Sequence, residues 1–132
     1  MMIDRWIAEA TECDFKVALE VKKPKSWLKS VSAFANGLGG TLFFVIDNDR
    51  NAVGLDDAQT DAEAISRLIK ERITPYPRFI LTPEREDGKD ILVLSVSAGR
   101  STPYYYKADG VMEAYIRIGN ESVIAPSYVL NQ

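Results

Sequence analysis

Apolar positions recur along the chain in two rhythms, helical and alternating, broken by one run in which neither holds. Ile3, Trp6, Ile7 and Ala10 are spaced as on a helix and predict a short opening helix. Asp14-Phe-Lys-Val-Ala-Leu-Glu20 alternates, which puts Phe15, Val17 and Leu19 on one side of a half-buried strand. Lys22-Lys-Pro-Lys-Ser26 interrupts it, because Pro24 cannot continue a ladder yet suits a helix start. Trp27, Leu28, Val31, Phe34 and Ala35 then form a helical stripe, leaving Lys25, Lys29, Ser32 and Asn36 on another face. Gly37 predicts a left-handed helix stop and Gly39-Gly40 a tight turn. Thr41-Leu-Phe-Phe-Val-Ile46 has no polar alternation, so the pattern predicts a central strand covered on both faces.

Asp47 to Gly54 is turn chemistry, and Thr60-Asp-Ala-Glu63 reads as a capping box opening a second helix. Ile65, Leu68, Ile69 and Ile73 supply that helix's apolar face, and Pro75 and Pro77 end it. Phe79–Thr82 and Ile91–Val96 flank a loop closed by Asp87-Gly88, while Tyr104–Lys107 and Glu113–Ile118 flank Asp109-Gly110, predicting two hairpins. Together these elements predict an α+β fold, with a mixed, mostly antiparallel sheet of five to six strands and two to three helices packed on one of its faces. Residues 1–132 read as a single domain. Because a further helix could begin after Pro126, that domain also reads as the N-terminal part of a longer regulator.

Composition narrows the chemistry. With 46% hydrophobic residues in 132, the chain can bury a core without staples, and its single cysteine, Cys13, excludes an internal disulfide and reads as a small strand-edge residue. The longest apolar run, Leu42 to Ile46, is far short of the roughly 20 residues that span a bilayer. A cytoplasmic protein without membrane contact is the expectation. There is no histidine, which removes Ser-His-Asp, Cys-His and His-zinc chemistry from this chain.

The net charge is −3 but unevenly spread. Five lysines face only Glu20 between Lys16 and Lys29, whereas eleven acids face seven bases between Asp47 and Asp90. Lys16, Lys22, Lys23, Lys25 and Lys29 are therefore candidates for contacting the phosphates of DNA or RNA, with an ordinary solvated face as the competing account. Tyr104, Tyr105 and Tyr106 could stack on bases only where they face outward, and strand alternation sets Tyr105 opposite the other two. Asn36-Gly-Leu-Gly-Gly40 lacks the Gly-Lys-Ser/Thr ending of a phosphate loop and reads first as a structural turn. Glu9, Glu12 and Asp14, with Asp47 and Asp49 at the exit of the central strand, could converge to hold Mg²⁺ or Mn²⁺; as turn formers and helix-end charges they need no metal. No other cofactor is implied.

Asp14-Phe-Lys16, Ala33-Phe-Ala-Asn-Gly-Leu-Gly-Gly-Thr-Leu-Phe-Phe44, Thr102-Pro-Tyr-Tyr-Tyr106 and Tyr115-Ile-Arg-Ile-Gly-Asn-Glu-Ser122 with Ala125 resemble, in order and spacing, the Schlafen-type AlbA domain. The resemblance implies an α+β fold and DNA or RNA binding, often within bacterial transcriptional regulators, some labelled ATP-binding or helicase-related. It also implies that Lys16, the Asn36 turn and Arg117 share one surface region. Two positions depart from the family: Asp14 stands where glutamate is usual, and Val45 where glycine is frequent. Schlafen members that cleave RNA use three acids, which Glu9, Asp14 and one of Asp47 or Asp49 resemble. A metal-dependent ribonuclease is thus one alternative, and an ATP-binding module or homodimerising module another.

Overall fold

In the computed structural model, residues 13–16, 18–45 and 51–126 are described. They form strand β1 (Cys13–Lys16), helix α1 (Lys25–Asn36), β2 (Gly40–Phe44), α2 (Ala58–Arg72), β3 (Ile73–Thr74), β4 (Phe79–Glu86), β5 (Lys89–Val96), β6 (Tyr105–Ala108), β7 (Val111–Ile118) and β8 (Glu121–Ile124). The predicted opening helix over residues 3–10 lies outside the described residues.

The α+β class holds, but the strands divide into two four-stranded sheets, β1-β2-β5-β4 and β3-β6-β7-β8, where one sheet of five to six was expected. The first is mixed, with β1 parallel to β2 and the rest antiparallel; the second is antiparallel throughout. The reason lies in α1. Its Trp27, Leu28, Val31, Phe34 and Ala35 are buried as the stripe predicts, but Ser30, Ser32 and Ala33 are buried as well. A helix covered nearly all round needs layers on two sides, so α1 sits between the sheets rather than on one face of a single sheet. One hydrophobic cluster accordingly joins Leu42, Phe44, Leu92 and Leu94 of the first sheet to Tyr106 and Tyr115 of the second through α1. Trp27 meets Phe44 edge to face at 5.4 Å.

The central-strand expectation is met by β2, which lies between β1 and β5. Leu42 and Phe44 enter the α1 cluster, while Phe43 and Val45 enter a second one with Ile91, Val93 and Ala52, where Phe15 stacks on Phe43 at 5.2 Å. The turn before β2 differs from expectation, because Gly37 has φ −117° and the left-handed residue is Gly39, at φ 86°. The N–H groups of Gly37 and Gly39 both donate to Phe34 O, closing the helix. At Gly40 the absence of a side chain is required, since a Cβ there would lie 2.5 Å from the Phe34 ring.

Helix α2 starts earlier than the Thr60 capping box predicts. Asp57 is the cap, accepting Thr60 N at 3.1 Å and Thr60 Oγ1 at 2.8 Å, so Thr60 sits inside the first turn. The helix ends at Arg72, and Ile73 belongs to the short strand β3 instead of the helix face. Both predicted hairpins form, with Asp87-Gly88 and Asp109-Gly110 in left-handed conformations at both positions, the twist that two-residue turns favour. A third hairpin, β7 to β8 through Gly119-Asn120, was not anticipated. Among the described residues, no helix is long and apolar enough to cross a membrane.

Candidate functional site

The edge strands β1 and β8 flank the middle of α1, and between them opens a cleft of about 290 Å³ walled by Asp14, Lys16, Lys29, Ser30, Arg117, Asn120, Glu121 and Ser122. Strand β1 delivers Asp14 and Lys16, α1 delivers Lys29 and Ser30, and β7 with its hairpin delivers the rest. Register explains the last group: Arg117 on β7 stands directly opposite Ser122 on β8, so both side chains share the face turned to α1.

Arg117 anchors the floor. Its side chain is only 7% exposed and lies over the Phe34 ring, 5.1 Å from the centroid. Nη1 donates to Ser122 Oγ at 2.9 Å and Nη2 to the Cys13 carbonyl at 3.4 Å, while Nε has no partner among the described residues. Ser122 and Ser30 hydroxyls lie 2.9 Å apart, and Ser30 donates to Asp14 Oδ2 at 3.3 Å. That same oxygen is 3.3 Å from Lys16 Nζ and 3.7 Å from Arg117 Nη1. Donor hydrogens therefore run one way, from Arg117 through Ser122 and Ser30 to Asp14. Three cations against the carboxylates of Asp14 and Glu121 leave the cleft with one net positive charge.

The predicted lysines divide into two groups. Lys22 and Lys23 are exposed in the bend before α1, and with Lys29 they have no carboxylate partner among the described residues. Lys25 is tied down: its ammonium is 3.3 Å from Glu113 Oε1 and 5.8 Å from the Tyr106 ring centroid. The Glu113 hydrogen bond raises the Lys25 pKa above the ordinary lysine value, and burial raises that of neighbouring Tyr115. No acid stands in the first turn of α1, so cations crowd the helix end whose dipole favours anions.

Asn36 turns inward. Its Nδ2 donates to Tyr104 O at 3.0 Å and Tyr115 O at 2.9 Å, and its Oδ1 accepts Tyr104 N at 2.6 Å. Ser32, also expected on an open polar face, is fully buried and shares the work, donating to Tyr104 O at 2.7 Å and accepting Tyr115 N at 3.1 Å. These bonds fasten α1 to the second sheet and so set the position of Arg117. Asn36 and Arg117 also line a smaller recess of about 180 Å³ with Phe34 and Leu38, whereas Lys16 and Arg117 share the first cleft, which Asn36 does not line. Tyr104 and Tyr106 are buried, and of the three tyrosines only Tyr105 is partly open.

Glu9, Glu12, Asp47 and Asp49 lie outside the described residues. Of the acids proposed to hold Mg²⁺ or Mn²⁺, the described part contributes Asp14, and no group of three potential ligands gathers among the described residues. Sequence reasoning missed Ser30 and Glu113 as partners of the charged groups. Ser30 carries no periodic signal, and Glu113 meets Lys25 only across 88 residues of sequence.

Fold and site define an α+β domain that draws cations from three separate elements onto one polar cleft beside a lysine-bearing bend. The chain belongs to the Schlafen, AlbA_2 family, which residues 9–126 match. It is similar to the N-terminal domain of a RecG-related protein from Nitrosomonas europaea, named for its relation to an ATP-dependent DNA helicase, with 26% identity and a TM-score of 0.62 over 91% of this chain and 88% of that one. It shares its fold with the DIP2311 protein of Corynebacterium diphtheriae at 18% identity and a TM-score of 0.64; 93% of this chain is covered, against 25% of that chain. No curated protein matches the chain significantly.

Proposed function

We propose that the domain is a nucleic-acid-binding module of a regulatory protein. The observation that carries this reading is the convergence of Lys16, Lys29 and Arg117 on one cleft; Lys22 and Lys23, exposed in the bend that leads into α1, have no carboxylate partner among the described residues. Cations placed at a helix N-terminus are uncomfortable in isolation, and a polyanion relieves them. The net charge of −3 confines binding to this face instead of the whole surface. Likeness to a domain of a RecG-related protein supports the same reading. Lysines with flexible stems contact phosphates without reading bases, so sequence preference is expected to be weak.

Fluorescence anisotropy against labelled oligonucleotides over a salt series tests it. Affinity falls steeply with salt, and replacing Lys22, Lys23 and Lys29 by alanine together lowers the slope of log K against log salt by about 2, near 0.7 per lost phosphate contact on a single strand. Undiminished affinity and slope in the triple variant would overturn the reading.

A further inference from the structure

We propose that Asp14 makes the cleft selective for ribose over deoxyribose, an inference that rests on the nucleic-acid reading and adds to it the sugar that is read. Cations account for phosphate; the Asp14 carboxylate offsets them through one oxygen, and its other oxygen is left to be accounted for. Asp14 Oδ2 is occupied by Lys16 at 3.3 Å and Ser30 at 3.3 Å, with Arg117 at 3.7 Å. Its Oδ1 has no partner among the described residues, although the side chain is 20% exposed on the cleft wall. The hydroxyl hydrogens of Ser30 and Ser122 are consumed within the chain of bonds that ends on Oδ2.

What remains on offer is a pair of ammonium donors, Lys16 and Lys29, beside two carboxylates, Asp14 and Glu121, of which Asp14 is the one held in place by Lys16 and Ser30. The complementary ligand carries an anion and, a few ångströms away, a hydroxyl that donates. A ribose phosphate does so through its 2′-hydroxyl, which is the group that distinguishes RNA from DNA. A cleft of about 290 Å³ admits one such unit. Within a deoxyribose strand the sugar has no free hydroxyl, so the carboxylate would face the strand without a donor. The unit can come from an RNA strand or a free ribonucleotide.

The test measures binding of one sequence as RNA, DNA and 2′-fluoro RNA, the last keeping the ribose-like pucker without the donor, together with paired ribo- and deoxyribonucleoside monophosphates. RNA is expected to bind about ten-fold more tightly than both other strands, the scale of one charge-assisted hydrogen bond. Asp14→Ala brings that ratio towards one while DNA affinity holds or rises, because an anion has left the cleft; a merely structural loss would weaken both. If that variant does not fold, the 2′-fluoro arm decides on the wild-type protein. A preference confined to the monophosphates assigns the cleft to free ribonucleotides and still supports ribose selectivity. Equal binding of all strands together with equal binding of both monophosphates, or RNA binding more tightly than DNA while 2′-fluoro RNA binds as tightly as RNA, overturns the inference and leaves the nucleic-acid reading standing. If no strand or nucleotide binds, both fall.

Discussion

Asn36→Ala is the perturbation that most directly tests how α1 is held against the second sheet. Asn36 satisfies the Tyr104 N–H at 2.6 Å and the Tyr115 carbonyl at 2.9 Å, and shares the Tyr104 carbonyl with Ser32. Truncation leaves the first two groups without these partners but spares the third, which keeps its 2.7 Å bond from Ser32. Each stranded backbone group costs about 1–3 kcal/mol where water cannot replace the partner. Asn36 is itself only half-buried, so some water returns, and the expected loss is about 2–4 kcal/mol. For a domain of this size that corresponds to a fall in Tm of roughly 6–15 °C. Urea unfolding followed by far-ultraviolet circular dichroism should show the midpoint shift with an unchanged m-value. Asn36 and Ser32 hold the same carbonyl, so the Ser32→Ala, Asn36→Ala double-mutant cycle should be non-additive. A loss for Asn36→Ala below about 1 kcal/mol would refute the reasoning.

Two further outcomes follow from local geometry. Val45 is buried at φ 63°, a conformation costly for a β-branched residue, so Val45→Gly exchanges about 1–2 kcal/mol of relieved strain for a similar loss of burial and should stay within about 1 kcal/mol of wild type. Val31→Ala, on ordinary helical backbone in the α1 cluster, should cost about 2 kcal/mol or more in the same urea assay, and a Val45→Gly loss equal to it would sink the strain argument. Asp57 holds its carboxyl below the ordinary 3.8 through the Thr60 side-chain and backbone hydrogen bonds. Its contribution is therefore present above that pH and lost as pH falls through the depressed value. Asp57→Ala should lower Tm at neutral pH by an amount that shrinks on acidification, and a gap constant from pH 7 to about 3 would exclude the cap as its source.

Much of the local structure was legible in the chain. The stripe from Trp27 to Ala35, the unalternating run from Thr41 and the two Asp-Gly turns each depend on neighbours within a few residues, which is the range over which periodicity and turn chemistry act. The edges of the second sheet were not: β3 has only two residues, and β8, Glu-Ser-Val-Ile, shows no polar–apolar alternation. Thr60 misled because its capping signature is real but Asp57, three residues earlier, reaches the same amide first.

The candidate site divides along the same line. That lysines crowd between residues 16 and 29 is a property of composition, readable without coordinates. Which of them has no acid beside it is not, because Glu113 and Asp14 find Lys25 and Arg117 across 88 and 103 positions of chain, and Ser122 finds Ser30 across 92. Sequence alone determined the helices' buried stripes, the central strand, the turns and the sign of the charge on one stretch, since each arises from bonded neighbours. Only the tertiary structure decided that α1 lies between two sheets, that Ser32 and Asn36 face inward, and that Asp14 stands among the cations. Those outcomes depend on which distant surfaces meet, and burial of both sides of one helix selects them.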